Sequence, residues 1–366
     1  IQVSSAQYNL VPNPSFEEYN SCPVSISGFE YASDTYCDNW YAGSGGTPDY
    51  YNSCAGPGSL VSVPDNLFSD DQPARTGDAY GGFWTDLYDN NTFIYREYVQ
   101  RKLATPLVAG ECYYVEFWSA PATQSDFAGS DHATTDAIGA YFSTVKVGDA
   151  FGSEVLPYTP QIDNNGSGNY ISTPGDWTKI CGFFEAEGGE EWICIGNFHG
   201  DDEVTVVAYE GGVLAASPLV YLFIEDVLVS PIDSMLYLPD TVVCSPIVLS
   251  APTCANSYLW STGETTSEIT VYASGDYWLE METGCGIVND TASILFVEDS
   301  VYTTAETTEI CFTELPFTLN ASPSYDAYLW STGATTSSIV VAPTANTLIT
   351  LAATSSLNCT TISNKS

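Results

Sequence analysis

The chain of 366 residues carries 46 Asp and Glu against 7 Lys and Arg, a formal net charge of −39. With so few cations to neutralise phosphates, nucleic acid is excluded as a partner. A hydrophobic fraction of 44%, with 8 Trp, 25 Tyr and 16 Phe, excludes a disordered acidic tail and gives a folded chain of two or three domains.

Eleven cysteines without a Cys-x-x-Cys pair or a Cys/His cluster point to disulfides in an oxidising, extracellular setting rather than to a metal. The odd count leaves one thiol free or bonded to another chain. No run of about 18 apolar residues occurs, so no membrane-spanning helix is expected. The chain begins at Ile1, and the small residues from Val3 to Gln7 resemble the end of a cleaved export signal, which predicts a processed, secreted protein.

In chain order, residues 1–8 (Ile1, Gln2, Val3, Ser4, Ser5, Ala6, Gln7, Tyr8) alternate as an extended segment. Residues 9–234 read as one all-β domain, most simply a jelly-roll sandwich, with strands separated by loops rich in Asp, Gly, Asn and aromatics. A short helix is expected at most near Tyr95 to Leu103. Tyr113–Trp118 and Glu203–Ala208 alternate as strands, and Leu219–Ile224 is a nearly continuous buried one. Cys181 and Cys194 flank the turn Glu187–Glu190 almost symmetrically, which places them opposite each other on a hairpin, bonded or simply packed.

After residue 235 the texture changes. Tyr258-Leu-Trp-Ser-Thr-Gly263 recurs as Tyr328-Leu-Trp-Ser-Thr-Gly333, each followed by Thr-Thr-Ser and a β-branched run. Each copy has a cysteine upstream (Cys244, Cys311) and another downstream (Cys285, Cys359). A Trp between two cysteines in short β-branched strands is the pattern of a small sandwich. Two tandem immunoglobulin-like β-sandwich modules follow, residues 238–298 and 299–366. Only seven residues follow Cys359, so the second module reads as one strand short. An open edge of that kind accepts an extended segment, and Ile1–Tyr8 is the candidate donor for a head-to-tail filament of copies of the chain.

The expected disulfides are Cys244–Cys285, Cys311–Cys359, Cys22–Cys54 and Cys181–Cys194, which leaves Cys37, Cys112 and Cys254 over. Catalytic chemistry finds little support. His132 and His199 read as loop and turn residues, and there is neither a Gly-x-Ser-x-Gly elbow nor a His-Glu-x-x-His motif, so no enzyme is expected. Trp40, Tyr41, Tyr50, Tyr51, Trp84 and Tyr88 lie in Gly/Asp-rich sequence and form a candidate sugar platform, since apolar sugar faces stack on aromatic rings beside polar acceptors.

Asn9–Glu17, Cys22-Pro23, Gly46–Cys54, Tyr95–Gln100, Pro106–Gly110, Ile138–Ser143 and Ile195–Phe198, with the two YLWSTG turns, resemble secreted modular surface proteins of Bacteroidota associated with type IX secretion, gliding and adhesion. That resemblance implies a galactose-binding-like jelly roll followed by immunoglobulin-like repeats, exported to the cell surface. It also implies a structural Ca²⁺ between the first and last strands, at Glu17 and Asp226. O-glycosylation at Asp-Ser/Thr-aliphatic sites is implied as well, here Ser234, Thr241, Thr291 and Ser300. The function expected is a structural or adhesive surface protein, a filament subunit; the alternative is a carbohydrate-binding adhesin module carried on immunoglobulin-like spacers.

Overall fold

The structure, a computed structural model, describes residues 9–29, 36–89, 93–123, 133–148, 152, 154–171, 173, 175–208, 219–236, 238–296, 315–321, 327–354 and 360–365. Strand side chains at 86–89, 93–94, 354 and 360–365 are not included. The chain is all-β. It divides into two units, the first made of Ile1–Leu236 with Pro252–Ser257 and Met281–Val288, the second of Tyr237–Ala251, Tyr258–Glu280 and Asn289–Ser366.

The amino-terminal region runs through β1 (Trp40–Ala42), β2 (Asp49–Asn52), β3 (Ala79–Asp89), β4 (Phe93–Tyr95), β5 (Tyr98–Lys102), β6 (Cys112–Pro121) and β7 (Ala133–Thr135). It continues through β8 (Gly139–Ser143), β9 (Ile162–Asp163), β10 (Thr178–Glu185), β11 (Trp192–Gly196), β12 (Val206–Ala208) and β13 (Leu219–Pro231), which leads into the one-turn helix α1 (Ile232–Met235). One sheet has the order β1-β5-β11-β8-β9 and the other β10-β6-β13-β3-β2, with β4 on β3. Both contribute to a single core: Trp40, Val99, Phe142, Ile193 and Ile195 from the first meet Phe83, Val115, Phe117, Ile180 and Ile224 from the second. Two sheets sharing one core make a β-sandwich.

The predicted helix near Tyr95–Leu103 is a strand. Tyr98, Val99, Gln100 and Arg101 are all buried, because β5 is paired on both sides, by β1 and β11, and each of its faces is covered. Cys181 and Cys194 do not share a hairpin either. Cys181 stands opposite Glu116 in the β10–β6 pair, whereas Cys194 stands opposite Gln100 in the other sheet. The connection between them crosses the sandwich.

Outside the β2/β3/β13 face lies a second apolar layer, in which Val61 and Phe68 from the 53–78 loop cover Tyr51, Tyr80, Tyr221 and Phe223. Double coverage explains why all four residues of β2 are buried.

The repeats are built from β14 (Thr241–Val243), β15 (Ile247–Ser250), β16 (Ser257–Trp260), β17 (Glu268–Val271), β18 (Gly275–Thr283) and β19 (Gly286–Phe296), then β20 (Phe317–Asn320), β21 (Ala327–Trp330), β22 (Ser338–Val341), β23 (Ile349–Thr354) and β24 (Thr360–Lys365). Sheets β14-β19-β18-β16 and β15-β17 form the first, β20-β22 and β21-β23-β24 the second. The two YLWSTG segments carry identical wiring. Trp260 Nε1 donates to the Thr266 carbonyl and Trp330 Nε1 to that of Thr336, both at 2.8 Å. Gly263 and Gly333 close the turns at φ +93° and +84°, a region where a side chain is strained.

β24 corrects the expectation of a missing strand. It pairs antiparallel with β23 from Ile349↔Lys365 to Thr354↔Thr360, so that edge is taken by the chain itself. The proposed donor, Ile1–Tyr8, lies outside the described residues.

Candidate functional site

The bridges depart most from expectation. Cys22 is bonded to Cys54, as predicted. Cys112 is bonded to Cys285 across 173 residues and Cys181 to Cys254 across 73. Both of these lie within the first unit, which includes the loop 252–257 and the β18–β19 hairpin tip at 281–288. Cys285 therefore is not paired with Cys244. Cys244 follows β14, which runs beside Ile294–Phe296, whereas Cys285 precedes Gly286 at the other end of β19; at about 3.3 Å per residue the strand holds them roughly 30 Å apart. Cys244 is itself disulfide-bonded. Cys194 and Cys37 are free and buried among the described residues, and Cys311 and Cys359 fall outside them.

The tip and loop are seated as well as bonded. Cys112 and Cys181 stand on adjacent strands, opposite Glu185 and Glu116. Thr253 Oγ1 accepts from Lys179 Nζ at 2.5 Å, and Lys179 is 3.4 Å from Glu116. Gly284 lies so near β10 that an added Cβ would be 2.3 Å from the Phe183 carbonyl oxygen; only glycine fits there. The loop and the tip thus lie against the face of β10 and β6 that is turned away from the core.

The predicted aromatic platform divides. Trp40, Tyr50 and Tyr51 are each 0% exposed. Trp40 Nε1 donates to the Asn13 carbonyl, Tyr50 Oη to that of Phe16, and Tyr51 Oη lies 2.8 Å from Tyr221 Oη. Trp84 meets Phe68 and Tyr221 edge-on. These are core and covering residues: Trp40 and Tyr50 face the sandwich core, and Tyr51 and Trp84 belong to the second apolar layer. The side chain of Tyr88, in β3, is outside the description.

Tyr41 remains, and the structure gives it a partner that the sequence reading missed, Trp192. Ile193 and Ile195 point into the core, so alternation along β11 turns Trp192 and Cys194 to the opposite face. Tyr41 and Cys194 are the β1 and β11 partners of Gln100, and the rings of Tyr41 and Trp192 come to 6.1 Å at 60°. The buried Gln100 donates to the Ala42 and Val147 carbonyls and accepts from Val147 N. That clasp carries Lys146 over the rings, its Nζ 3.7 Å from the Tyr41 centroid and 5.8 Å from that of Trp192. Lys102, opposite Trp192, pairs with Glu191 at 3.1 Å. Two of the seven basic residues flank one half-buried aromatic pair on a strongly acidic chain.

Buried acids form a second feature. Asp49 accepts from Ser27 N and, at 2.7 Å, from Tyr221 Oη. Glu97 accepts from Thr47 N, Trp84 N and Tyr95 Oη. Burial raises both carboxyls above the ordinary range, with their mutual repulsion adding to the effect at Glu97. Glu225, held by Arg75 N, Thr76 N and Thr76 Oγ1, is pushed up to about 8, chiefly by burial.

At the corner expected to hold Ca²⁺, Glu17 accepts from Asp78 N and Ala79 N. Asp226 is ion-paired with Arg75 and accepts from Ser15 and Thr76 hydroxyls. Hydrogen-bond donors and a guanidinium meet these oxygens. Among the described residues no group of three or more His, Cys, Asp or Glu could hold a metal ion.

Of the modification sites, Thr291 is exposed on β19, Thr241 is half-buried in β14 and Ser234 half-buried in α1; Ser300 lies outside the description. Asp240 and Asp290, which precede Thr241 and Thr291, accept from Ser293 N and Leu238 N and so join the start of the first repeat to β19. His199 Nε2 is 2.9 Å from Asp163, and His132 is outside the description.

No protein-family model and no curated protein matches the chain. Among solved structures it is similar to the K1 cleaved adhesin domain of Lys-gingipain from Porphyromonas gingivalis W83, at 11% identity over 53% of this chain and 91% of that one, TM-score 0.24. It is similar also to a Bacteroides thetaiotaomicron protein proposed to bind sugars, at 10% identity over 61% and 99%, TM-score 0.27. A third likeness is to the amino-terminal four immunoglobulin domains of Dscam1, at 10% identity over 87% and 90%, TM-score 0.17. Likenesses this distant carry no functional argument.

Proposed function

We propose that the protein is an extracellular adhesive and structural protein of the cell surface, a jelly roll followed by immunoglobulin-like repeats. The observation that carries this reading is the pair of bridges, Cys112–Cys285 and Cys181–Cys254, which bond the jelly roll to two segments of the first repeat. Such bonds persist in an oxidising compartment, and a spacer that only had to be flexible would not need them. No helix among the described residues is long and apolar enough to cross a membrane.

The adhesive surface in this reading is the Tyr41–Trp192 pair with Lys146, and its ligand is a glycan bearing a carboxylate. The rings offer stacking to the apolar face of a sugar, and the ammonium offers a counter-charge otherwise scarce on this chain. Binding to immobilised acidic and neutral glycans tests it. Tyr41→Ala and Trp192→Ala should each lower binding about tenfold, which corresponds to roughly 1.4 kcal/mol, with the circular dichroism unchanged. Lys146→Ala should remove the preference for acidic over neutral sugars. Full binding by all three variants would overturn the site.

A further inference from the structure

We infer that the Cys112–Cys285 and Cys181–Cys254 bridges form a load bypass, which lets tension pass through the chain while the centre of each jelly-roll sheet stays folded. The inference rests on the proposed adhesive role only for why tension would be applied; the bypass itself follows from connectivity. A pull between the amino-terminal end and the carboxy-terminal end reaches Cys112, crosses the sulfur–sulfur bond and leaves from Cys285. Residues 113–284 form a closed covalent ring that carries no net force.

The position of the cut in the fold is what gives the ring its consequence. In the sheet β1-β5-β11-β8-β9, the strands before Cys112 are β1 and β5, at one end. In the sheet β10-β6-β13-β3-β2, they are β3 and β2, again at one end, with β4 beside them. Tension can therefore strip a contiguous block from each sheet and then stop. The trios β11-β8-β9 and β10-β6-β13 remain, and the second contains the longest strand of the jelly roll, β13. Scattered assignments would have left holes in both sheets; here one covalent link divides each along a single strand boundary. Cys181–Cys254 lies inside the ring and shields 73 residues if the outer bridge is opened.

Single-molecule stretching of the full chain, held at its two ends, tests this. The outer bridge hides a span of 173 residues, about 600 Å of extended chain at roughly 3.5 Å per residue. Oxidised protein should thus show a total contour gain shorter than reduced protein by at least that amount. The double variant Cys112→Ser/Cys285→Ser should recover only about 350 Å, at the same ~3.5 Å per residue, because the inner bridge still holds its loop. Adding Cys181→Ser/Cys254→Ser should recover the rest. Reduction of the wild-type protein while it is held gives the same comparison without any variant that must fold. Equal contour gains before and after reduction would overturn the bypass. Loss of glycan binding alone would overturn the adhesive reading and leave the contour lengths as stated, so the two failures are distinguishable.

Discussion

The jelly roll and the repeats are stabilised by different means. The jelly roll closes over one large core drawn from both sheets, with Phe16, Trp40, Tyr50 and Phe83 wholly buried. The second repeat's described core is Leu319, Trp330 and Ile339. A large core can bury carboxylates such as Asp49, Glu97 and Glu225 and hold them with hydrogen bonds. A small one relies on a single Trp fixed to a turn, repeated with the same partners in each module. Size alone thus separates a region with stability in reserve from one with little.

The largest expected effect separates the two regions. Trp330→Ala should cost about 3–5 kcal/mol, comparable to all that a core of this size supplies, and should unfold the second repeat while the jelly roll keeps its near-ultraviolet signal. Phe83→Ala, a loss of similar size, should leave the jelly roll folded at 25 °C; limited proteolysis reads both. Equal behaviour of the two variants would erase the distinction.

Removal of the inner bridge with Cys181→Ser/Cys254→Ser comes next. For a loop of 73 residues the chain-entropy cost is about 4 kcal/mol, visible as a lower Tm in the first unit. Acid sensitivity sharpens the comparison further. A carboxyl whose folded pKa is raised binds its proton more tightly when folded, so its contribution is full below the ordinary carboxylate range and is lost as pH rises through the folded value. With Glu225 pushed up to about 8 and Asp49 and Glu97 also raised, jelly-roll Tm should fall between about pH 4.5 and 8. Glu225→Gln should flatten the upper part of that fall. A Tm that rises over this window would contradict the burial of these acids. The smallest effect belongs to the turns: Gly263→Ala and Gly333→Ala should each cost about 1 kcal/mol, equally, because the wiring is the same.

Much of the architecture was legible because period and repetition are local properties. Tyr113–Trp118 and Leu219–Ile224 fall inside β6 and β13, and the YLWSTG copies mark equivalent turns. Burial of Trp40, Tyr50 and Tyr51 was not legible, since Gly- and Asp-rich flanks look the same whether a strand is covered on one face or two. Trp192 was signalled only by the alternation around Ile193 and Ile195. The cysteine pairs were the least legible. Equal spacing around a turn suggested Cys181–Cys194, but spacing carries no information about which sheet a strand joins, and Cys112 and Cys285 are separated by 172 intervening residues.

The central claim is that the first repeat is bonded to the jelly roll, and peptide mapping of unreduced protein by mass spectrometry tests it directly. Linked peptides joining Cys112 to Cys285 and Cys181 to Cys254 are expected, with Cys194 recovered as a free thiol. Peptides joining Cys244 to Cys285, or Cys181 to Cys194, would contradict it.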